Sequence, residues 1–292
     1  MRRVIPWAML ILGCGSDGPP AQPPDLRQAV APATTSAAQR LQVQDFWRVY
    51  RQATAQRVNG NYRAALALFD SALVLQPQHL DALYYSGNAA FELGRFTDAE
   101  RRWRLELAAN EHSARAHAQI GVLYCSGLPG APTNLSTARR ELEAAHKLNR
   151  AETGPLVRLG QVALLQEDPM AAAQWLTAAT QTNTRSVAAV YLRGYVAWSE
   201  GDSEEAQSRL MAARDLAGGG PEEVSASAEG QTRHGHRPLL ESGRISALAV
   251  FWRRLADPRH PDDTFLSAET EYADFHDSLL RVRATLADAS RN

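Results

Sequence analysis

Residues 59–77 read NGNYRAALALFDSALVLQP, and their reading decides the fold. The stretch opens on a turn pair, Asn59 and Gly60, carries small residues at Ala65 and Ala72, and stops at Pro77. Turn punctuation at one end and a proline at the other delimit a single amphipathic helix. Moved forward by 34 residues, the stretch falls on itself. Gly60 meets Gly94, Tyr62 meets Phe96, Ala65 meets Ala99 and Phe69 meets Trp103. Upstream, Val49 meets Leu83 and Ala53 meets Gly87, and a further step takes Gly87 to Gly121. The register then slips by five residues between Gly121 and Gly160 and resumes from Gly160 to Gly194. Beyond the slip the markers Ala138, Ala172 and Ala206 keep step, as do Leu142, Leu176 and Leu210. The extra residues therefore fall in CSGLPGAPTNLST, where Gly and Pro mark a loop inside the third repeat.

A period of this length identifies a stack of supersecondary units, none of which can bury its apolar face alone. The spacing, with small residues where helices cross and a large apolar residue beside them, resembles the tetratricopeptide repeat. The resemblance implies an all-α superhelical solenoid of five helix–turn–helix repeats in residues 41–217. The repeats span 46–79, 80–113, 114–152, 153–186 and 187–217. In the fourth, Pro169 stands where the others carry an aromatic, and Asp168 before it suits a helix start.

The same resemblance places positions 2, 5, 9 and 12 of each repeat in a concave groove. Those positions hold Trp47, Tyr50, Thr54 and Arg57 in the first repeat, and Asp81, Tyr84, Asn88 and Phe91 in the second. Arg115 leads the third, the fourth is bland, and the fifth offers Tyr191, Tyr195 and Trp198. Aromatics with scattered Arg and Asn have the composition of interface hot spots. For Tyr191, Tyr195 and Trp198 packing against the C-terminal segment is the equal alternative. A carboxylate clamp of the chaperone-binding type is not expected, because Tyr50 and Thr54 occupy its first-repeat positions.

The amino terminus, MRRVIPWAMLILGCGSDGPP, combines Arg2 and Arg3 with a nine-residue apolar run, too short to span a bilayer as a helix. Ile11-Leu12-Gly13-Cys14 resembles the lipobox of bacterial lipoproteins, with Leu12 departing from the pattern two positions before the cysteine. The resemblance implies a signal peptide in residues 1–13, acylation of Cys14 and membrane attachment through the lipid. Gly15 after the cysteine leans toward the periplasmic side of the outer membrane. Residues 14–40, rich in Pro, Ala and Gln, read as a disordered tether. Cys125 is the one other cysteine and reads as a packing residue on a helix.

After the repeats, residues 218–238 read as a polar linker and residues 239–292 as a helical pair. Ile245, Leu248, Trp252 and Leu255 form one stripe. Phe265, Ala268, Tyr272, Phe275, Leu279, Val282 and Leu286 form another with heptad spacing. The pair is expected to cap the open end of the solenoid, with homodimerisation through the second stripe as the alternative.

A formal net charge of −1 gives no bulk attraction to nucleic acid. No nucleophile elbow, zinc-protease helix, Cys-x-x-Cys or phosphate loop occurs. His234 and His236 lack further ligands at metal spacing, so no cofactor or metal is expected. The sequence thus points to a non-enzymatic, envelope-anchored scaffold that binds a protein or peptide in its groove. The rival readings are a soluble secreted oligomer dimerising through the tail, and an enzyme with its site in the C-terminal region.

Overall fold

The computed structural model describes residues 36–217 and 267–289. The expected signal peptide, Cys14, the linker and the first helix of the C-terminal pair lie outside these residues, as do His234 and His236. Among the described residues the chain is helical throughout, and from Gln42 onward it belongs to one compact unit. Ten helices alternate in five pairs: α1 (Ala37–Val58) with α2 (Tyr62–Leu75), α3 (Leu80–Glu92) with α4 (Phe96–Ala109), and α5 (Ala114–Tyr124) with α6 (Leu135–Leu148). They continue with α7 (Thr153–Leu165) and α8 (Pro169–Thr182), then α9 (Val187–Ser199) and α10 (Ser203–Leu216). A last helix, α11 (Ala268–Ala289), packs against α10, α9 and α7. None of the described helices is long and apolar enough to cross a membrane.

The start of α1 corrects one expectation. Residues 37–40, read as tether, are helical, because Ser36 and Gln39 form a reciprocal capping box. The Gln39 amide donates to Ser36 Oγ at 3.1 Å, and the Ser36 amide donates to Gln39 Oε1 at 2.9 Å. Later helices start on side-chain caps of the same logic. Asp168 accepts from the Ala171 amide at 2.9 Å with Pro169 at the first helical position, and Asn134 accepts from the Thr137 amide at 2.8 Å.

Small residues set the spacing within each pair. A Cβ added at Gly87 would lie 2.5 Å from Trp103 Nε1, and one at Gly121 or Gly160 would fall on Leu142 or Leu176. Trp103, Phe69, Leu142 and Leu176 are accordingly fully buried beside them. This close approach is the physical content of the small–large pattern seen in the sequence. The turn between paired helices needs a left-handed residue, supplied by Gly60, Gly94 and Gly201. In the fourth repeat the equivalent residue is Glu167, held at φ 63°.

Candidate functional site

In a solenoid of this kind the first helices of successive repeats line an extended inner surface. Here these are α1, α3, α5, α7 and α9, and the side chains expected in the groove divide into three groups.

The first group is open. Trp47 is 43% exposed, although its ring meets Phe46, Tyr50 and His79 edge-on at centroid distances of 5.1, 5.6 and 5.6 Å. His79 does double duty, since its Nδ1 accepts from the Ala82 amide and starts α3. With Gln76, Pro77 and Gln78 it also lines a shallow depression beside this cluster. Burial and the nearby Asp81 charge push the Tyr50 phenol up to about 12, so it stays a neutral hydrogen-bonding group. Arg57 lays its guanidinium 4.4 Å over the Tyr85 ring. Among the described residues no carboxylate lies within ion-pair distance of Arg57, and its buried Nε has no hydrogen-bond partner. Tyr85 was not among the residues expected here; as the neighbour of a groove position, it becomes visible only once Arg57 is seen lying on it.

The second group is engaged within the repeats. Arg115 pairs with Asp81 at 2.7 Å and with the fully buried Glu106 at 2.8 Å, while its guanidinium lies 4.4 Å over Tyr84. Tyr84 is buried and its hydroxyl accepts from Gln119. Asn88 accepts from Trp103 Nε1 at 3.1 Å, and Phe91 packs on Phe96 and Trp103. Asp81, Tyr84, Asn88, Phe91 and Arg115 therefore brace the second and third repeats, while Asp81 and Arg115 keep 49% and 36% of their side chains exposed. The cause is that a groove position faces its neighbour repeat as well as the groove. Glu106 was missed because position and composition mark it as an ordinary helix-surface acid. Its buried carboxyl is pushed above the usual range even with Arg115 and Ser113 bonded to it.

The third group is covered. Tyr191 is fully buried and Tyr195 nearly so, both beneath α11. Tyr191 donates to Glu271 at 3.0 Å, Tyr195 Oη and His276 Nδ1 are 2.7 Å apart, and Trp198 Nε1 donates to Glu269 at 2.7 Å. These three residues contact the chain's own helix, the alternative that the sequence left equal. The heptad stripe is turned the same way: Ala268, Tyr272, Phe275 and Leu279 join one core with α7 to α10, and Val282 and Leu286 are buried. The seam is thus occupied within the chain.

Two acids complete the chemistry. Burial pushes Glu92, at the end of α3, up to about 7, and no described cation pairs with it. Desolvation raises the half-buried Cys125 thiol, which keeps it protonated and weakly reactive at neutral pH. No cluster of metal-ligating side chains occurs among the described residues.

The tetratricopeptide repeat family model matches residues 50–119 and 157–221. Among solved structures the chain is similar to MamA, at 18% identity and a TM-score of 0.50 over 60% of this chain and 96% of that one. A MamA RS-1 double mutant gives 16% and 0.52 over 60% and 94%. TTC0263, a thermophilic tetratricopeptide repeat protein of Thermus thermophilus, gives 20% and 0.50 over 63% and 97%. No curated protein matches the sequence. At these identities the structures speak for the fold alone. With the paired helices and the two stretches that the family model matches, they show the fold: an all-α tetratricopeptide-repeat solenoid of five helix–turn–helix units.

Proposed function

We propose that the protein is an envelope-anchored adaptor that binds a segment of another protein on the inner surface of its first two repeats. One observation carries this reading. Trp47, Tyr50 and Arg57 form an aromatic and cationic surface in which, among the described residues, no carboxylate pairs with Arg57, whereas Arg115 is fully paired two repeats further on. An exposed tryptophan and, about 15 Å along the same helix, an arginine stacked on a tyrosine are residue types that anchor protein interfaces. Membrane attachment rests on the Leu12-Gly13-Cys14 sequence and places the array beyond a Pro-rich tether.

A photo-crosslinking side chain in place of Trp47 tests the groove in cells. One dominant protein adduct is expected, absent when the crosslinker replaces Val74, which is 80% exposed on α2. Arg57→Gln should reduce the adduct at least several-fold. The same adduct from both positions, or one indifferent to Arg57→Gln, refutes the groove. Cys14→Ser tests the anchor separately. It should abolish palmitate uptake and release the chain from membranes; a wild-type chain that takes up no palmitate would remove that part of the reading.

A further inference from the structure

We propose that the inner surface of the fourth and fifth repeats is a second binding site, built for an acidic amphipathic helix of a partner protein, and that α11 is its resident stand-in. Four observations separate α11 from a mere end-stop.

The first is placement. A terminal helix that only continued the stack would lie on α9 and α10, as each first helix lies on the pair before it. Here α11 also reaches α7, where Arg283 donates to the Leu164 carbonyl and pairs with Glu167. It therefore crosses the inner surface of two repeats. The second is chemistry. The helix is held by directional polar contacts to the hot-spot residue types: Glu271 on Tyr191, His276 on Tyr195 and Glu269 on Trp198.

The third is a fitted recess. A Cβ at Gly194 would fall on the Tyr272 hydroxyl, which donates to the Tyr191 carbonyl at 3.2 Å. In the second, third and fourth repeats the matching glycine is filled by the partner helix of its own pair. In the fifth the partner helix contributes only the Arg209 Cβ, at 2.9 Å, and the recess also admits the Tyr272 ring from α11. The fourth is Glu167. The left-handed turn that Gly60, Gly94 and Gly201 make freely costs a glutamate on the order of 1 kcal/mol. The carboxylate so placed faces Arg283.

Connection also differs. Successive helices of the array are joined by three to ten residues, whereas 51 separate α10 from α11. The covalent link therefore does not force α11 into this seat, and its own contacts must hold it. The occupant's chemistry is read directly from the resident: acids at its first turn, an aromatic pair three residues apart, and an arginine near its far end. A tethered occupant competes at an effective concentration on the order of millimolar. An external helix thus wins only by binding more tightly than α11 or when α11 is weakened.

The probe is a fluorescein-labelled synthetic peptide of residues 267–289, titrated into the full chain by anisotropy. Wild type should bind it weakly, near millimolar. The full chain carrying Phe275→Ala and Leu279→Ala should bind the unaltered peptide at least tenfold more tightly. Adding Tyr191→Phe and Trp198→Phe, or using a peptide with Glu269→Gln and Glu271→Gln, should reverse most of that gain. A milder chain, Glu269→Gln/Glu271→Gln, should also admit the peptide and guards against loss of folding in the first. If neither chain gains affinity for the peptide, or if circular dichroism shows α9 and α10 unfolding in both, α11 is an integral cap and the proposal falls. A wild-type chain that is a dimer by light scattering, and a monomer when α11 is weakened, would assign the site to self-exchange and equally overturn it. None of these readouts depends on Trp47 or Arg57, so the N-terminal groove stands or falls separately.

Discussion

Glu92 offers a sharp test of the electrostatics along the inner surface. Its carboxyl is buried at the C-terminal end of α3, with no cation among the described residues to compensate. Burial raises it from an ordinary 4.5 to about 7, and a helix C-terminus is also the end that disfavours an anion. The folded chain therefore holds this proton more tightly than the unfolded chain. Below about pH 4.5 both states are protonated and the residue is neutral in stability. As pH rises toward 7 the folded state is progressively penalised, and above 7 the whole penalty applies. One pKa unit corresponds to about 1.4 kcal/mol, so the ceiling is about 3 kcal/mol, and screening of a partly exposed group brings it to about 1–2 kcal/mol. Glu92→Gln keeps the shape and removes the charge. Thermal melts of the full chain should show it raising Tm by about 3–6 °C at pH 8 and by less than about 1 °C at pH 4. An equal gain at both pH values would mean that charge is not the cause. A loss at pH 8 would mean that the carboxylate has a cationic partner, and the reasoning would be wrong.

Two backbone substitutions test the packing. Gly87→Ala drives a methyl into the Trp103 indole and should cost about 1–3 kcal/mol in urea unfolding, whereas Gly154→Ala in α7 meets only the Glu152 side chain at an ordinary 3.8 Å and, standing before Pro155, should change stability by less than about 1 kcal/mol. Equal effects at the two sites would deny that close helix approach is what the repeat glycines serve. Glu167→Gly should act in opposite directions on two readouts. It relieves a left-handed glutamate, stabilising the array by about 1 kcal/mol, and it removes the Arg283 contact for resident helix and peptide alike, so the full chain carrying Phe275→Ala and Leu279→Ala should bind labelled peptide 267–289 less tightly once Glu167→Gly is added. A destabilised array would show that Glu167 is not strained.

The architecture was legible in the sequence because a period of 34 residues is a long-range signal carried by residue size. Gly87 against Trp103 and Gly160 against Leu176 are contacts between helices joined by short turns, so spacing alone finds them. The capping box at Ser36 was equally available, but the Pro-rich composition before it argued for tether. The groove was less legible. Positions 2, 5, 9 and 12 say which way a residue points in an isolated repeat, and the satisfaction of each group is decided by the next repeat. Asp81 and Arg115 sit at equivalent positions 34 residues apart, and only packing shows that they neutralise each other around Glu106. Tyr191 and Glu271 are 80 residues apart, beyond any local pattern.

The stripe on α11 illustrates the limit and the reason to look past it. Alternation by three and four residues says that one face of the helix is apolar, and a cap, a coiled coil and a groove-bound helix all need that face. The discriminating information lies in the residues beside the stripe. A cap requires only an apolar underside and a wettable exterior. Glu269, Glu271 and His276 instead meet an indole N–H and two phenols at hydrogen-bond distance. Of these only the Tyr191–Glu271 pair is buried; such a pair adds little net stability over well-packed apolar residues and penalises a helix that cannot match it. Its effect is selection among helices, which closure of a solenoid end does not require. On the proposed reading the two ends of the inner surface differ in state and not in kind: among the described residues no further helix or strand covers Trp47 and Arg57, whereas Tyr191, Tyr195 and Trp198 are met by α11 of the chain itself.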